Sequence, residues 1–451
     1  MLRQLLSRLP YRPLVAGLIV TDGFMMLTRS SSYPFLAIYL AHHFGLDAGR
    51  IGLLLGAGPV FGMIIGLFGA AWSDRIGRWP LLLAGVGSSA IGFLGLPLAH
   101  DVWQIFALNL LISGAHAVRE PVVRALISDQ ADEQRRFIAF NHRYTAINVA
   151  YAIGPLLGAL AATTHMAGLL AASGFGQVAI FLMFFWIARR ARSASASAAS
   201  IHAADLPVGR SILRSLRMIG QDRRLTWFVF GAILTATVNG QISVTLVQHF
   251  SAVSHDGAAL FALMATVNAV TVVLLTPALS RAVKALSPFQ AVALGALATA
   301  AGTFCFGLTI DHAALIGATI VFSIGEVMIV PAEFLLVDGI APAAQRGAYH
   351  GAMGFAALGS AIGPALGGAL LMSFGGVVTF ATLAGIALLA VAAFGRGRMA
   401  PPPASAGAGI AEPNSIDAQQ RRSARTRAWE GPLIRPGRSG YLSGVPPRMP
   451  A

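Results

Sequence analysis

The sequence predicts an all-α membrane protein in which twelve transmembrane helices form two pseudo-symmetric bundles of six. Its residues are 56% hydrophobic and only 11% charged, with a mean hydropathy of +0.70, whereas soluble domains carry about 25% charged residues. Apolar stretches of roughly 20 residues, the length that crosses a bilayer, follow one another along the 451 residues. A Gly-Pro motif occurs twice in matching surroundings, which indicates a duplicated unit.

Matching landmarks define the duplication. The segment Gly154-Pro155-Leu156-Leu157-Gly158 returns as Gly363-Pro364-Ala365-Leu366-Gly367, with an offset of 209 residues between positions 154 and 363. Two further pairs repeat in the same order and at nearly the same spacing: Pro121 with Pro331, and Arg136 with Arg346. A duplicated membrane bundle is typical of transporters, whose substrate site lies between the repeats.

Twelve spans can be placed in order along the chain. We predict them at 14–40, 49–71, 80–99, 102–126, 137–163 and 167–188, and then at 225–250, 257–279, 289–309, 313–337, 347–371 and 376–394. Short loops join neighbouring spans except at 189–223, whose Arg- and Ser-rich composition predicts a flexible cytoplasmic linker. The predicted domains are an N-terminal bundle (1–188), this linker, a C-terminal bundle (224–395) and a disordered basic cytoplasmic tail (396–451).

The arginines indicate the orientation in the membrane. When twelve spans are threaded, Arg75, Arg78, Arg135, Arg136 and Arg346 fall on the side of the termini, and the opposite loops carry mostly histidine and aspartate. The positive-inside rule then predicts that both termini are cytoplasmic. We therefore expect a multi-pass protein of the bacterial inner (cytoplasmic) membrane.

Several functional classes are not supported by the composition. The net charge of +14 does not indicate nucleic-acid binding, because the arginines lie between spans and in the tail rather than on one folded face. Cys305 is the sole cysteine, so an intrachain disulfide or a cysteine-based metal site cannot form. The chain also lacks a phosphate-binding Gly-x-x-x-x-Gly-Lys loop, a His-Glu-x-x-His pair and a Gly-x-Ser-x-Gly motif. We predict no enzyme activity, no cofactor and no metal.

Two motifs resemble those of a known family, the major facilitator superfamily. After the second span, Gly69 is followed by Asp74-Arg75 and by Gly77-Arg78, which resembles the family's cytoplasmic signature. The Gly-Pro segments resemble a motif of its twelve-helix drug:proton antiporter branch. The resemblance covers about residues 12–395 and implies the major facilitator fold. It also implies that Gly69, Asp74, Arg75, Gly77 and Arg78 form a latch between helices at the cytoplasmic face.

Small residues and proline give the repeated motif a physical meaning. Small residues let helices approach closely, and proline removes a backbone hydrogen bond and bends the helix. The expected helix-bend positions are Gly154, Pro155 and Gly158 in the first copy, and Gly359, Gly363, Pro364, Gly367 and Gly368 in the second. Close packing without any role in coupling is the alternative interpretation.

Ionisable residues within the spans are the strongest functional candidates, because each costs about 2.5–3.5 kcal/mol at mid-bilayer. The proton-coupling candidates are Asp22, Glu120, Glu333 and Glu326, with Glu120 first because Arg119 adjoins it in sequence. The expected charge partners in the cavity are Arg29, Arg119 and Arg143. For each acid the alternative is a structural salt bridge. Adjacent positions on a helix point about 100° apart, so we expect Arg119 to pair across helices rather than with Glu120.

The resemblance implies that the first, fourth, seventh and tenth spans line a central cavity. It also implies an arginine four residues before a glycine in the fourth span, but Leu110 stands at that place before Gly114. Arg119 is the candidate substitute in this chain. The uncharged candidates for the substrate cavity are Asn239, Gln241, Phe35 and Tyr39, although helix-helix contacts would also use such residues.

Together these features predict a secondary active transporter that exports small, largely apolar compounds by proton-coupled alternating access. Its expected partners are a small-molecule substrate, protons and the lipid bilayer, and we expect a monomer. Uptake of a sugar, metabolite or peptide is the alternative within transport. A membrane receptor or scaffold that does not transport is the alternative from another class.

Overall fold

A computed structural model describes residues 13–130, 133–162, 165–194, 217–342 and 345–401. The central part of the predicted linker, 195–216, and the predicted tail beyond 401 lie outside these ranges. Within them the chain forms helices, turns and no strand.

Seven α-helices form the N-terminal half. They are α1 (Pro13–Ser32), α2 (Leu36–Phe44), α3 (Ala48–Ile76), α4 (Arg78–Gly95), α5 (Val102–Gln130), α6 (Glu133–Ala162) and α7 (Met166–Ala194). A 3₁₀ turn over Tyr33–Phe35 joins α1 to α2, because Pro34 has no N–H to continue the α-helical ladder. Gly45 ends α2 with a positive φ of 61°, a conformation that glycine adopts without steric cost.

The C-terminal half repeats this order of elements. It contains α8 (Arg223–Gly240), α9 (Val247–Val253), α10 (Gly257–Ala285), α11 (Pro288–Phe306), α12 (His312–Asp338), α13 (Arg346–Met353) and α14 (Ala357–Met399). A π-helical turn over Ile242–Leu246 joins α8 to α9. The 43-residue α14 is interrupted at Gly375, whose φ is +75°, so it holds parts of both the eleventh and the twelfth predicted span.

Nine helical segments in the described ranges are long and apolar enough to cross a membrane. One of them, Ala348–Met399, is 52 residues long and contains the break at Gly375. The helices α1 and α5 are not among the nine, and both carry ionisable residues that lower their hydropathy. The predicted all-α membrane fold is confirmed, whereas the count of twelve spans remains a prediction.

The helices pack within each half and also across the boundary between the halves. In the N-terminal half α1 packs on α6 and α7, and α5 packs on α3 and α4; in the C-terminal half α8 packs on α14, and α12 packs on α10 and α11. The two most extensive contacts between the halves are α3 with α14 and α6 with α10, and α2 also packs on α9. These two contacts enclose the space in which a substrate site is expected.

At one end of the molecule the two halves share a hydrophobic core, and at the other end each half has its own core. One cluster contains residues of both halves, including Phe35, Leu54, Phe250 and Phe380. A second cluster holds only N-terminal residues such as Val123, and a third holds only C-terminal residues. Because α3 and α14 reach the shared cluster from opposite halves, this end of the molecule is closed. We call it the sealed end.

Candidate functional site

A cavity of about 450 Å³ lies between the halves. Its wall includes Tyr144, Asn148, Tyr151 and Pro155 of α6, Asn239 and Ser243 around the π turn, Met264 and Asn268 of α10, Phe306 of α11, and Phe322 and Glu326 of α12. We call this space the apolar cavity, because aromatic and aliphatic side chains make up most of its wall.

Helical periodicity explains why these residues meet. Tyr144, Asn148, Tyr151 and Pro155 are three or four positions apart, so they share one face of α6. On α12, Thr319, Phe322 and Glu326 share a face for the same reason and line the same space. The packing of α6 on α10 turns both faces toward the interior.

A neutral side chain, that of Asn268, binds Glu326 at the cavity wall. The Asn268 side chain donates from Nδ2 to Glu326 Oε2 at 3.0 Å and to Ser323 Oγ at 2.9 Å. Among the described residues that line the apolar cavity there is no arginine, lysine or histidine. The carboxyl group of Glu326 therefore lacks a cation in its immediate surroundings.

A group of five charged residues lies on the N-terminal side, and we call it the arginine cluster: Asp22, Arg119, Glu120, Arg124 and Arg143. Asp22 and Arg119 are fully buried and form an ion pair between α1 and α5. Arg143 of α6 donates from Nε to Asp22 Oδ2 at 2.7 Å. Three helices are thus joined through one buried carboxylate.

Glu120 accepts from several arginines at once. Its Oε2 is 2.6 Å from Arg143 Nη2 and 3.3 Å from Arg119 Nη2, and its Oε1 is 2.7 Å from Arg124 Nη2. The expectation that Arg119 would not contact Glu120 is therefore wrong, although its pairing across helices with Asp22 does occur. The arginine side chain is long enough for one nitrogen to reach Asp22 while another reaches back to Glu120.

The remaining predicted cavity arginine, Arg29, lies with its guanidinium 4.3 Å from the centre of the Tyr33 ring. It lines a separate pocket of about 630 Å³ between α3 and α14, together with Glu120 and Pro364. The described arginines that line the interior pockets are thus on the N-terminal side, whereas Glu326 and Glu333 are on the C-terminal side.

Glu333 lies seven positions after Glu326 on α12 and is half-buried. The Thr235 hydroxyl of α8 donates to its Oε1 at 2.7 Å. No salt bridge to Glu333 is present among the described residues. Like Glu326, this carboxyl group is held by a neutral donor.

The structure separates the four uncharged candidates. Asn239 lines the apolar cavity, and its Oδ1 is buried without a hydrogen-bond partner in the described structure. Gln241 is fully buried and lies outside the described cavity wall. Phe35 and Tyr39 belong to the shared core: Phe35 packs edge-on against Phe261, and Tyr39 stacks on His43. Gln241, Phe35 and Tyr39 were expected in the cavity wall, but they are buried in the packed interior and are not among its described lining residues.

The predicted latch is only partly described. Gly69, Asp74 and Arg75 fall in α3, but their side chains lie outside the described residues. Gly77 separates α3 from α4 with a φ of +95°. Arg78 donates to the Ala125 carbonyl oxygen at 2.8 Å and pairs with Asp129 at the end of α5. The described part of the motif thus joins α4 to α5.

The two Gly-Pro motifs occupy corresponding places in the halves. A Cβ atom at Gly154 or Gly158 would collide with the segment from Ser30 to Phe35 of the first span. In the second copy, Gly359, Gly363 and Gly367 face α8 and the π turn in the same way, whereas Gly368 faces Ala48 of α3. Both α6 and α14 continue as helices through Pro155 and Pro364. The motif therefore sets close helix packing in both halves.

The sequence profile of the Major Facilitator Superfamily matches residues 18–357. The chain belongs to this superfamily. The MFS-type transporter YqjV of Bacillus subtilis is 29% identical over 384 residues, which cover 84% of this chain and 92% of YqjV. A Na(+), Li(+), K(+)/H(+) antiporter of Planococcus maritimus is 25% identical over 74% of this chain and 84% of its own length. The multidrug resistance protein MdtH of Edwardsiella ictaluri is 25% identical, covering 79% and 84%.

The fold of a solved major facilitator protein is also similar. A crystal structure of the peptide transporter POT in complex with sulfate aligns with a TM-score of 0.71 at 16% identity, over 87% of this chain and 97% of that one. This major facilitator chain is therefore a multi-pass membrane transporter and not an enzyme, as predicted. The likeness at this identity concerns the fold alone.

Several residues of this major facilitator site were missed from the sequence. They are Thr235, which binds Glu333, His116, whose Nδ1 lies 3.5 Å from Arg119 Nη2, and the face of α6 formed by Tyr144, Asn148 and Tyr151. The spacing of three and four residues on α6 was visible in the sequence. It does not stand out, because apolar residues follow the same period in every span.

Proposed function

We propose that this transporter exports small, largely apolar compounds by alternating access coupled to protons. The observation that carries the proposal is an aromatic cavity between two halves that share a core at one end and have separate cores at the other. A rocking motion of the halves about α3–α14 and α6–α10 exposes such a cavity to each side in turn. In the predicted orientation, the open end faces the cytoplasm, where an exported compound enters.

Buried carboxyl groups supply the coupling. We assign the proton to Glu333, because its described partner is the neutral hydroxyl of Thr235. A carboxylate removed from water without a cation is unfavourable, and uptake of a proton removes that cost. Asp22 and Glu120 are held by arginines in this conformation, so they exchange protons only after the arginine cluster rearranges. The names of the P. maritimus antiporter and of MdtH agree with proton exchange and drug export.

Everted membrane vesicles test the coupling. With an imposed pH gradient, a panel of lipophilic dyes should accumulate in vesicles that contain the protein. Glu333→Gln should lower this accumulation at least about tenfold, since one ionisable site is lost, while dye counterflow without a gradient persists. Counterflow is the control, because exchange needs a folded protein and a site but no net proton movement.

Three other outcomes of these vesicle assays would contradict the proposed function. If the pH dependence of accumulation is the same in Glu333→Gln, Glu120→Gln and Asp22→Asn as in the unmodified protein, the proton assignment is wrong. If dyes move only into right-side-out vesicles, the direction is uptake. Absence of counterflow with every compound of the panel would favour a receptor or scaffold.

A further inference from the structure

The apolar cavity has a charge pattern that the proposed export function does not explain. Glu326 is the single acidic side chain among the described residues of its wall, and no described wall residue is basic. Arg29, Arg119, Arg124 and Arg143 line two neighbouring pockets, and the pocket of the arginine cluster shares Tyr144 and Tyr151 with the apolar cavity. The described wall of the cavity therefore has one ionisable side chain of the acidic kind and none of the basic kind.

The local hydrogen bonds bring no cation to Glu326. Asn268 divides its two N–H donors between Glu326 and Ser323, and Ser323 in turn donates to the Thr319 carbonyl oxygen at 2.7 Å. This chain of hydrogen bonds fixes the carboxyl group at the wall but brings no positive charge to it. Because a desolvated carboxylate is stabilised by a hydrogen-bonded cation, a cationic occupant would complete the site.

The rest of the wall suits an apolar body that carries such a cation. Tyr144 and Tyr151 come from one half, and Phe261, Phe306 and Phe322 come from the other. Aromatic faces attract cations, and the same rings remove apolar surface from water.

We propose that the apolar cavity binds amphiphilic compounds with a protonated amine, whose ammonium N–H donates to Glu326. An N–H is required because the Glu326 carboxylate accepts hydrogen bonds, and a quaternary ammonium has no N–H to donate to it. The inference rests on the proposed export function and adds the chemical class of the exported compound. It also gives the two acids of α12 different roles: Glu326 binds the substrate and Glu333 binds the proton.

An alkali cation fits this wall less well. A bare metal cation replaces its water shell with several oxygen ligands at short distance, whereas most of the described wall is carbon. A cavity of about 450 Å³ instead matches a small organic molecule. Sodium and potassium ions alone therefore belong among the test compounds.

Equilibrium binding to the purified full chain in detergent tests the proposal without any gradient. Three probes share one apolar body: 4-phenylbutylamine, 4-phenylbutan-1-ol and 4-phenylbutyltrimethylammonium. At neutral pH the amine should bind at least about tenfold more tightly than the alcohol and the quaternary compound, which corresponds to about 1.4 kcal/mol. Glu326→Gln should make amine and alcohol equal, and Glu326→Asp should restore part of the preference.

Asp338→Asn is the matched control, since it removes an acid from the far end of the same helix, where Asp338 lies near Arg346 and His350. This variant should keep the amine preference. The comparison of probes on the unmodified protein needs no variant, so misfolding of Glu326→Gln would not prevent the test. The proposal is overturned if the alcohol or quaternary compound binds as tightly as the amine, if Glu326→Gln keeps the preference, or if Na⁺ or K⁺ alone competes with the amine at the site.

The two proposals fail in different ways. Glu326-dependent amine binding without gradient-driven accumulation would contradict proton-coupled export and leave the amine site intact. Gradient-driven accumulation of neutral compounds, with no effect of Glu326→Gln on binding, would contradict the amine site alone.

Discussion

At the scale of single residues, Arg143 makes the contact that depends most strictly on side-chain geometry. Its Nε atom binds Asp22 and its Nη2 atom binds Glu120, so one planar guanidinium joins an acid of α1 to an acid of α5. A lysine ammonium is a single point charge and cannot reproduce this two-sided geometry. The arginine cluster therefore requires arginine, and not merely positive charge, at position 143.

We expect Arg143→Lys to lower transport at least about tenfold, because one of the two acids loses its hydrogen bond from residue 143. Arg124→Lys is the control: Arg124 makes one described contact, with Glu120, and its side chain is 61% exposed. The transport activity of the Arg124→Lys variant should stay within about twofold of that of the unmodified protein. Dye transport in vesicles, normalised to protein content, measures both, and equal losses in the two variants would show that charge alone matters.

At the scale of elements, the close contact between α3 and α14 depends on glycine, which has no side chain. A Cβ atom at Gly56 would lie 2.6 Å from the carbonyl oxygen of Ala361, and a backbone atom cannot move aside alone. The helices therefore approach closely only with glycine at this place. The contact belongs to the sealed end, so a wider spacing should open it.

Gly56→Ala should shift the protein toward the conformation in which the sealed end is open. A cysteine at Leu54, which is 6% exposed, reports this change in a Cys305→Ser background. Its labelling by a thiol reagent should be at least about fivefold faster with Gly56→Ala, since buried sites react only through opening. Gly385→Ala on α14 is the control, because no atom lies within 4 Å of its Cβ position. Unchanged labelling with Gly56→Ala would mean that the contact does not control the seal.

Hydropathy along the sequence predicts where the helices lie, but it does not predict the irregular turns that interrupt them. The spans predicted at 102–126 and 313–337 correspond to Val102–Gln130 and His312–Asp338. The π turn at Ile242–Leu246 was not predicted, because an irregular turn depends on packing against α14 and not on apolar period. Likewise Asn239 and Glu326 reach the cavity while Gln241 does not. Spacing determines which residues share a face, but the rotation of each helix is set by its neighbours.

At the scale of the whole molecule, the asymmetry between shared and divided cores predicts unequal access. Tyr144 lines the cavity and is 44% exposed, whereas Trp103, at the start of α5, is 78% exposed and lies on the opposite predicted side of the membrane.

In a Cys305→Ser background, a membrane-impermeant thiol reagent should label Tyr144→Cys at least about tenfold faster in everted vesicles than in right-side-out vesicles. Trp103→Cys is the matched reporter for the other face, and its preference should be reversed. The same preference in both variants would contradict the predicted orientation.

The shared aromatic core at the sealed end also has a thermal consequence. Separating Phe35, Phe250 and Phe380 exposes apolar surface to water, and hydrophobic attraction weakens on cooling. The opposite end presents exposed polar groups such as Arg124, so its closure buries less apolar surface. Cold should therefore favour the conformer in which the sealed end is open. The ratio of the two conformers should then depend on the temperature at which the cell grows.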